Sequence, residues 1–233
     1  MSSIKNSANK IHALHGFLGL PSDWTMFNFI DCPMQINHSE LDFISWSQLC
    51  NSEVTLSSGK NILLGYSLGG RLAMHMLLSA PSLWDAAIFV SAHPGFDCDR
   101  DRASRVASDQ KWAERFLDEP WDELMCAWNE NAVFGGVPLS LRRNEKDYDR
   151  KILAQQLSRW SLGNQEYLLE RLKKLSIPTL YIAGQQDKKF TALAEKFKDV
   201  GSVSIIPEAA HRVPWDQPEK FTAEINQFLM DLS

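Results

Sequence analysis

The chain has 233 residues, of which 44% are hydrophobic and 23% charged, with a formal net charge of -5. That length and apolar content can bury one full core, which excludes a disordered chain, and the acidic balance argues against a nucleic-acid surface. No apolar run approaches the roughly 20 residues of a membrane-spanning helix, the stretch Met1 to Lys10 is polar, and Cys32, Cys50, Cys98 and Cys126 lack C-x-x-C spacing. A cytoplasmic protein is expected, with free thiols and neither disulfides nor a zinc site.

In chain order, β-rich apolar runs fall at Ile11-Leu14, Ile62-Leu64, Ala86-Val90, Thr179-Ala183 and Val203-Ile206. Most are separated by enough residues for a helical crossover, so the pattern predicts an α/β fold with a mostly parallel, doubly wound sheet. Helices are expected at Gly70-Ser79, stopped by Pro81, at Ala192-Lys198, and at Glu219-Leu232 behind Pro218. Between Pro94 and Lys174 the alternation fails and the chain turns helical in character, carrying Trp112, Trp121, Trp128 and Trp160. The expected division is a core of residues 1–93 and 175–233 with a helical lid, 94–174, inserted over the carboxyl ends of the strands, where open α/β sheets bind ligands.

Gly65-Tyr66-Ser67-Leu68-Gly69, followed by Gly70 and Arg71, lies between an apolar run and a helical one. A G-x-S-x-G in that setting predicts a nucleophile elbow, a sharp strand-to-helix turn that presents the Ser67 hydroxyl. A serine hydroxyl is a poor nucleophile or base until a histidine takes its proton, and the histidine needs a carboxylate to orient it. In this architecture the chain order is serine, acid, histidine. Of the histidines that follow Ser67, His211 lies just past a strand and behind a suitable acid, whereas His93 comes before any such acid. Asp187 follows the Thr179-Ala183 strand by a short Gly184-Gln185-Gln186 turn, so the expected triad is Ser67, Asp187 and His211. Glu208 and Asp216 flank His211 and read as solvated loop charge. The expected oxyanion donors are the N–H groups of Leu68, after the nucleophile, and Phe17, in the His15-Gly16-Phe17 loop. His15 reads as a structural hydrogen-bonder. With no metal-ligand cluster and no nucleotide-binding glycine loop, no metal or cofactor is expected.

These residues resemble the α/β-hydrolase superfamily. Within it, His93-Pro94-Gly95, Ser108-Asp109, the Trp112-Ala113-Glu114-Arg115-Phe116-Leu117 block and Gly184-Gln185-Gln186-Asp187-Lys188-Lys189-Phe190 are similar to the 2-succinyl-6-hydroxy-2,4-cyclohexadiene-1-carboxylate synthase family of menaquinone biosynthesis. That resemblance implies a lyase that eliminates pyruvate from a cyclohexene substrate by proton abstraction. It also implies a small polycarboxylate ligand, which calls for arginine forks. Tyr66, Arg71 and Arg105 match the family's substrate-binding positions, and a third arginine falls at Arg143 or its neighbour Arg142. The family's proline-glycine-histidine-glycine loop is absent, and Asp31 to Leu49 reads as a short, irregular second strand and loop. Two other readings stand beside the lyase: a carboxylesterase, such as one cleaving a pimeloyl methyl ester on an acyl carrier protein, and a non-catalytic hydrolase scaffold that binds a partner. Oligomeric state is left open.

Overall fold

A computed structural model of the protein describes residues 9–56, 58–134 and 141–232. Most of the polar N-terminal stretch, residues 1–8, and residues 135–140 of the expected lid lie outside the described residues. Six parallel strands form one sheet: β1 (Lys10–Leu14), β2 (Cys32–Met34), β3 (Asn61–Tyr66), β4 (Ala86–Val90), β5 (Thr179–Gly184) and β6 (Ser202–Ile206), ordered β2-β1-β3-β4-β5-β6. Helices α1 (Phe43–Glu53), α2 (Leu68–Ser79), α3 (Asp99–Asp118), α4 (Trp121–Asn129), α5 (Arg150–Arg159), α6 (Leu169–Leu172), α7 (Lys188–Phe197), α8 (Val213–Asp216) and α9 (Pro218–Asp231) complete it.

The central strands β3, β4 and β5 are buried at every position because both sheet faces are covered, and apart from Asn61 and Thr179 at their starts they carry apolar residues, glycine or tyrosine. Successive side chains of β3 part company: Leu63 joins a core with Trp46, Leu72, Met76 and Phe197, whereas Ile62, Leu64 and Tyr66 join another with Trp24, Phe27, Phe221 and Ile225. Phe197 and Phe221 are fully buried, each contributing about 1.5–3 kcal/mol of apolar transfer. The five expected strands fall within β1, β3, β4, β5 and β6, and the irregular second strand is the three-residue β2. Helix α7 begins four residues before the expected Ala192, because Asp187 caps its first turn by accepting the Phe190 N–H.

Between β4 and β5 the chain leaves the sheet for α3 to α6. Helices α3, α4 and α5 share an apolar cluster of Ala113, Phe116, Trp121, Leu124, Leu153 and Leu157, to which Leu18 from the β1 loop is added. The insertion is also tied down by polar contacts. Tyr148 donates to the Leu18 carbonyl at 2.8 Å, Trp160 Nε1 to the Leu41 carbonyl at 3.0 Å, and Gln156 Nε2 to the Ile36 carbonyl at 3.4 Å. Among the described residues no helix is long and apolar enough to cross a membrane.

Candidate active site

Ser67 ends β3 and opens α2 with a left-handed backbone, φ 53°, a conformation a non-glycine side chain adopts only under local constraint. Its N–H donates to the Val90 carbonyl at 2.9 Å and its carbonyl accepts from Arg71 at 3.1 Å, which fixes the turn. The flanking glycines are needed for space. A Cβ on Gly65 would stand 2.4 Å from the Gly69 oxygen, and one on Gly69 would stand 2.3 Å from the His15 oxygen.

The next two groups arrive from neighbouring strand ends. Gln185 N donates to the Ile206 carbonyl and Gln186 N to the Ala209 carbonyl, so the loop after β5 is sewn to the loop after β6. Asp216, half-buried rather than solvated, accepts the Ala210 N–H at 2.9 Å and steadies the same loop; burial raises its pKa. Glu208 is exposed and pairs with Lys220 at 2.6 Å, in keeping with surface charge. Asp187 and His211 are thereby brought together, with Oδ2 2.8 Å from Nδ1, and His211 Nε2 lies 3.0 Å from Ser67 Oγ. The carboxylate can only accept from Nδ1–H, so Nε2 is left bare to accept from the serine hydroxyl. Asp187 and His211 are 4% and 5% exposed, so little water competes with this chain of hydrogen bonds.

Leu68 N occupies the first position of α2, where an N–H has no intrahelical acceptor, and Phe17 follows β1 beside it. Both residues border a cavity of about 390 Å³ above Ser67. His15, by contrast, is buried with Nδ1 2.8 Å from the Gly16 carbonyl, and burial pushes its pKa down to about 4.

The cavity wall is cationic. Arg71, Arg105, Arg143, Lys189 and Arg212 line it, and among its described lining residues Asp109 is the one carboxylate. Arg71 is held rigidly: Nη2 donates to the Trp160 carbonyl at 2.7 Å, Nη1 to Gln165 Oε1 at 3.3 Å, and the guanidinium lies over the Phe43 ring. Burial, aided by Arg105, lowers its pKa to about 9. Arg105 pairs with Asp109 at 2.7 Å, whose other oxygen accepts from Ser161. Arg143 lines the cavity and Arg142 is exposed, but both arms of Arg143 already hold Asp23, at 2.8 and 2.7 Å. The expected role for Arg143 as a carboxylate fork therefore meets a fork already engaged. Tyr66 packs edge-on to Trp215 and tilted against His211, and burial raises its pKa.

Two cations escaped sequence reasoning. Arg212, directly after His211, lies 3.7 Å over the Phe134 ring and donates to Asn129 Oδ1 at 2.5 Å. Lys189 stands two residues past Asp187, and burial followed by Arg105 lowers its pKa. Adjacency to the acid and the histidine was the signal available for both.

A six-stranded parallel sheet with a serine elbow, a histidine and an aspartate at its strand ends, under a helical insertion, defines a hydrolase-type α/β architecture. The chain belongs to the α/β-hydrolase family, whose model matches residues 14–225. It is 31% identical to the 2-succinyl-6-hydroxy-2,4-cyclohexadiene-1-carboxylate synthase of Pectobacterium atrosepticum, over 93% of this chain and 92% of that protein. It is 33% identical to the synthase of the same name from Serratia proteamaculans, over 72% of this chain and 68% of that one. Among solved structures, MenH from S. aureus superposes with a TM-score of 0.87 at 20% identity, covering 99% of this chain and 96% of that chain.

Proposed function

We propose that the protein is a carbon-oxygen lyase of menaquinone biosynthesis. It would convert 2-succinyl-5-enolpyruvyl-6-hydroxy-3-cyclohexene-1-carboxylate to 2-succinyl-6-hydroxy-2,4-cyclohexadiene-1-carboxylate and pyruvate. The observation that carries this reading is the cationic wall of Arg71, Arg105, Lys189 and Arg212 around the Ser67 hydroxyl. The substrate bears carboxylates on its ring, succinyl and enolpyruvyl groups, which such a wall would hold. The cavity also has apolar walls, among them Trp112, Met125, Trp128, Phe134 and Leu157, but an uncharged acyl ester gives no reason for the basic side chains set between them, which disfavours the carboxylesterase reading. A non-catalytic scaffold gives no reason for the hydrogen-bonded chain from Asp187 through His211 to Ser67.

In this mechanism Ser67, relieved of its proton by His211, takes the hydrogen from C2 of the ring, which lies next to the succinyl ketone. The C2–H electrons form C2=C3, the C3=C4 pair moves to C4=C5, and the C5–O bond breaks. The enolpyruvate released is protonated on carbon to give pyruvate. Charge that develops on the succinyl ketone oxygen would be received by the N–H groups of Phe17 and Leu68. Asp187 holds the His211 tautomer and stabilises the imidazolium. Residues 94–174 act as a lid over a core of residues 1–93 and 175–233, keeping water from the developing charge. Supplying the enolpyruvyl substrate to purified protein and counting pyruvate tests the proposal, and absence of release overturns it.

A further inference from the structure

Beyond β4 the chain turns sharply. Ser91 has φ 47°, and Gly95 has φ 103° with no room for a Cβ, which would stand 2.2 Å from the Glu166 oxygen. His93, between them, is fixed from several sides. The Gly95 N–H donates to its Nδ1 at 3.2 Å, and Gln165 Nε2 donates to its carbonyl at 3.1 Å. The same Gln165 accepts from Arg71. Phe96 and Phe190 flank the ring, with centroids 4.7 and 6.3 Å away.

Because Nδ1 is an acceptor, the neutral ring carries its hydrogen on Nε2. Among the described residues no protein acceptor takes that hydrogen, and His93 lines the cavity beside Arg71, Arg105 and Lys189. Burial, with Lys189, Arg71, Arg105 and Lys196 nearby, presses its pKa down to about 3, so the ring is uncharged at neutral pH. The elimination described above does not use it.

We infer that His93 is a substrate-binding residue whose Nε2–H donates to a ligand carboxylate held by the Arg71, Arg105 and Lys189 wall. The inference rests on the polycarboxylate reading of the site and adds a directional, uncharged donor to it. Three cations attract a carboxylate but repel one another; a neutral donor fixes its orientation without adding to that repulsion.

The probe is 2-succinylbenzoate, an aromatic analogue of the product that keeps the ring carboxylate and the succinyl group. Binding is followed by tryptophan fluorescence, since Trp112, Trp128 and Trp160 border the cavity. In the wild-type protein the His93 Nε2 resonance should move as the fluorescence saturates. His93→Leu should weaken binding and raise KM roughly tenfold, with kcat changed by less than about threefold, and His93→Gln, which keeps a donor, should recover most of the loss. A resonance that stays still while fluorescence saturates overturns the role of His93 and leaves the proposed reaction untouched. Saturation without pyruvate release from the true substrate removes the reaction instead, and the resonance still decides His93.

Discussion

Asp23 accepts both arms of the Arg143 guanidinium, at 2.8 and 2.7 Å, joining the loop after β1 to the insertion across 120 positions of chain. Both side chains are almost wholly buried, at 5% and 10% exposure. Removing one partner strands the other charge in a low-dielectric site. Arg143→Met should therefore cost about 3–5 kcal/mol of stability, and Asp23→Leu combined with Arg143→Met should cost less than the two single changes summed. Urea titration of the double-mutant cycle reads this, and strict additivity would remove the pair as the cause.

If Ser67, His211 and Asp187 work as one unit, taking the hydroxyl away should lower turnover by on the order of 10^3-fold or more, with the fold intact. Asp187→Asn should fall by on the order of 10^4-fold, because an amide can hold the wrong imidazole tautomer. Pyruvate release measures both, and a Ser67→Ala variant at wild-type rate would end the proposed chemistry.

Arg71 uses a planar fork against the Trp160 carbonyl and Gln165, which a lysine cannot reproduce. Arg71→Lys should raise KM at least about tenfold and lower the melting temperature together. Arg105, half-exposed and bound to Asp109, should raise KM on change to Met with a smaller thermal penalty. Unchanged KM in both variants would dissociate the wall from the ligand.

Buried His75 stacks on Phe43 at 4.6 Å, and burial followed by Arg71 lowers its pKa from the usual 6.5 to about 3. A group held neutral in the fold but protonated when unfolded favours unfolding in acid. Its contribution is complete above pH 6.5 and is lost as pH falls towards 3, by about 1.4 kcal/mol per pH unit. His75→Phe should make unfolding free energy fall less steeply between pH 6 and 4 than in the wild type, by roughly one proton's worth of slope. Equal slopes in the two proteins would refute it.

The order of the fold was readable because strands buried on both faces announce themselves as short apolar runs, as Ile62-Leu63-Leu64 does. The strained elbow was readable too, since the two glycines leave a signature that spacing alone reveals. Cavity-lining side chains outside those motifs were not. Arg143 carries the same letter as a ligand-binding arginine, and only the position of Asp23, far away in sequence, shows that its fork is taken. Arg212 and Lys189 were hidden for the opposite reason, because a cation beside a catalytic residue looks like any solvated charge until the walls around it are known. The start of α7 was missed because Asp187 had been read for its carboxylate chemistry, while its second use as a cap depends on the Phe190 amide.

The contacts of α5 with the chain after β2 carry a lesson for protein engineering. The Ile36 and Leu41 carbonyls receive Gln156 and Trp160, and Ser39 donates to Gln155 at 2.8 Å. A roof transplanted from another member of the family would thus arrive without its seating unless residues 36–41 travelled with it. Chimeras cut only at the ends of β4 and β5 would leave those carbonyls stripped of their donors, whereas a two-segment exchange would carry the joint intact.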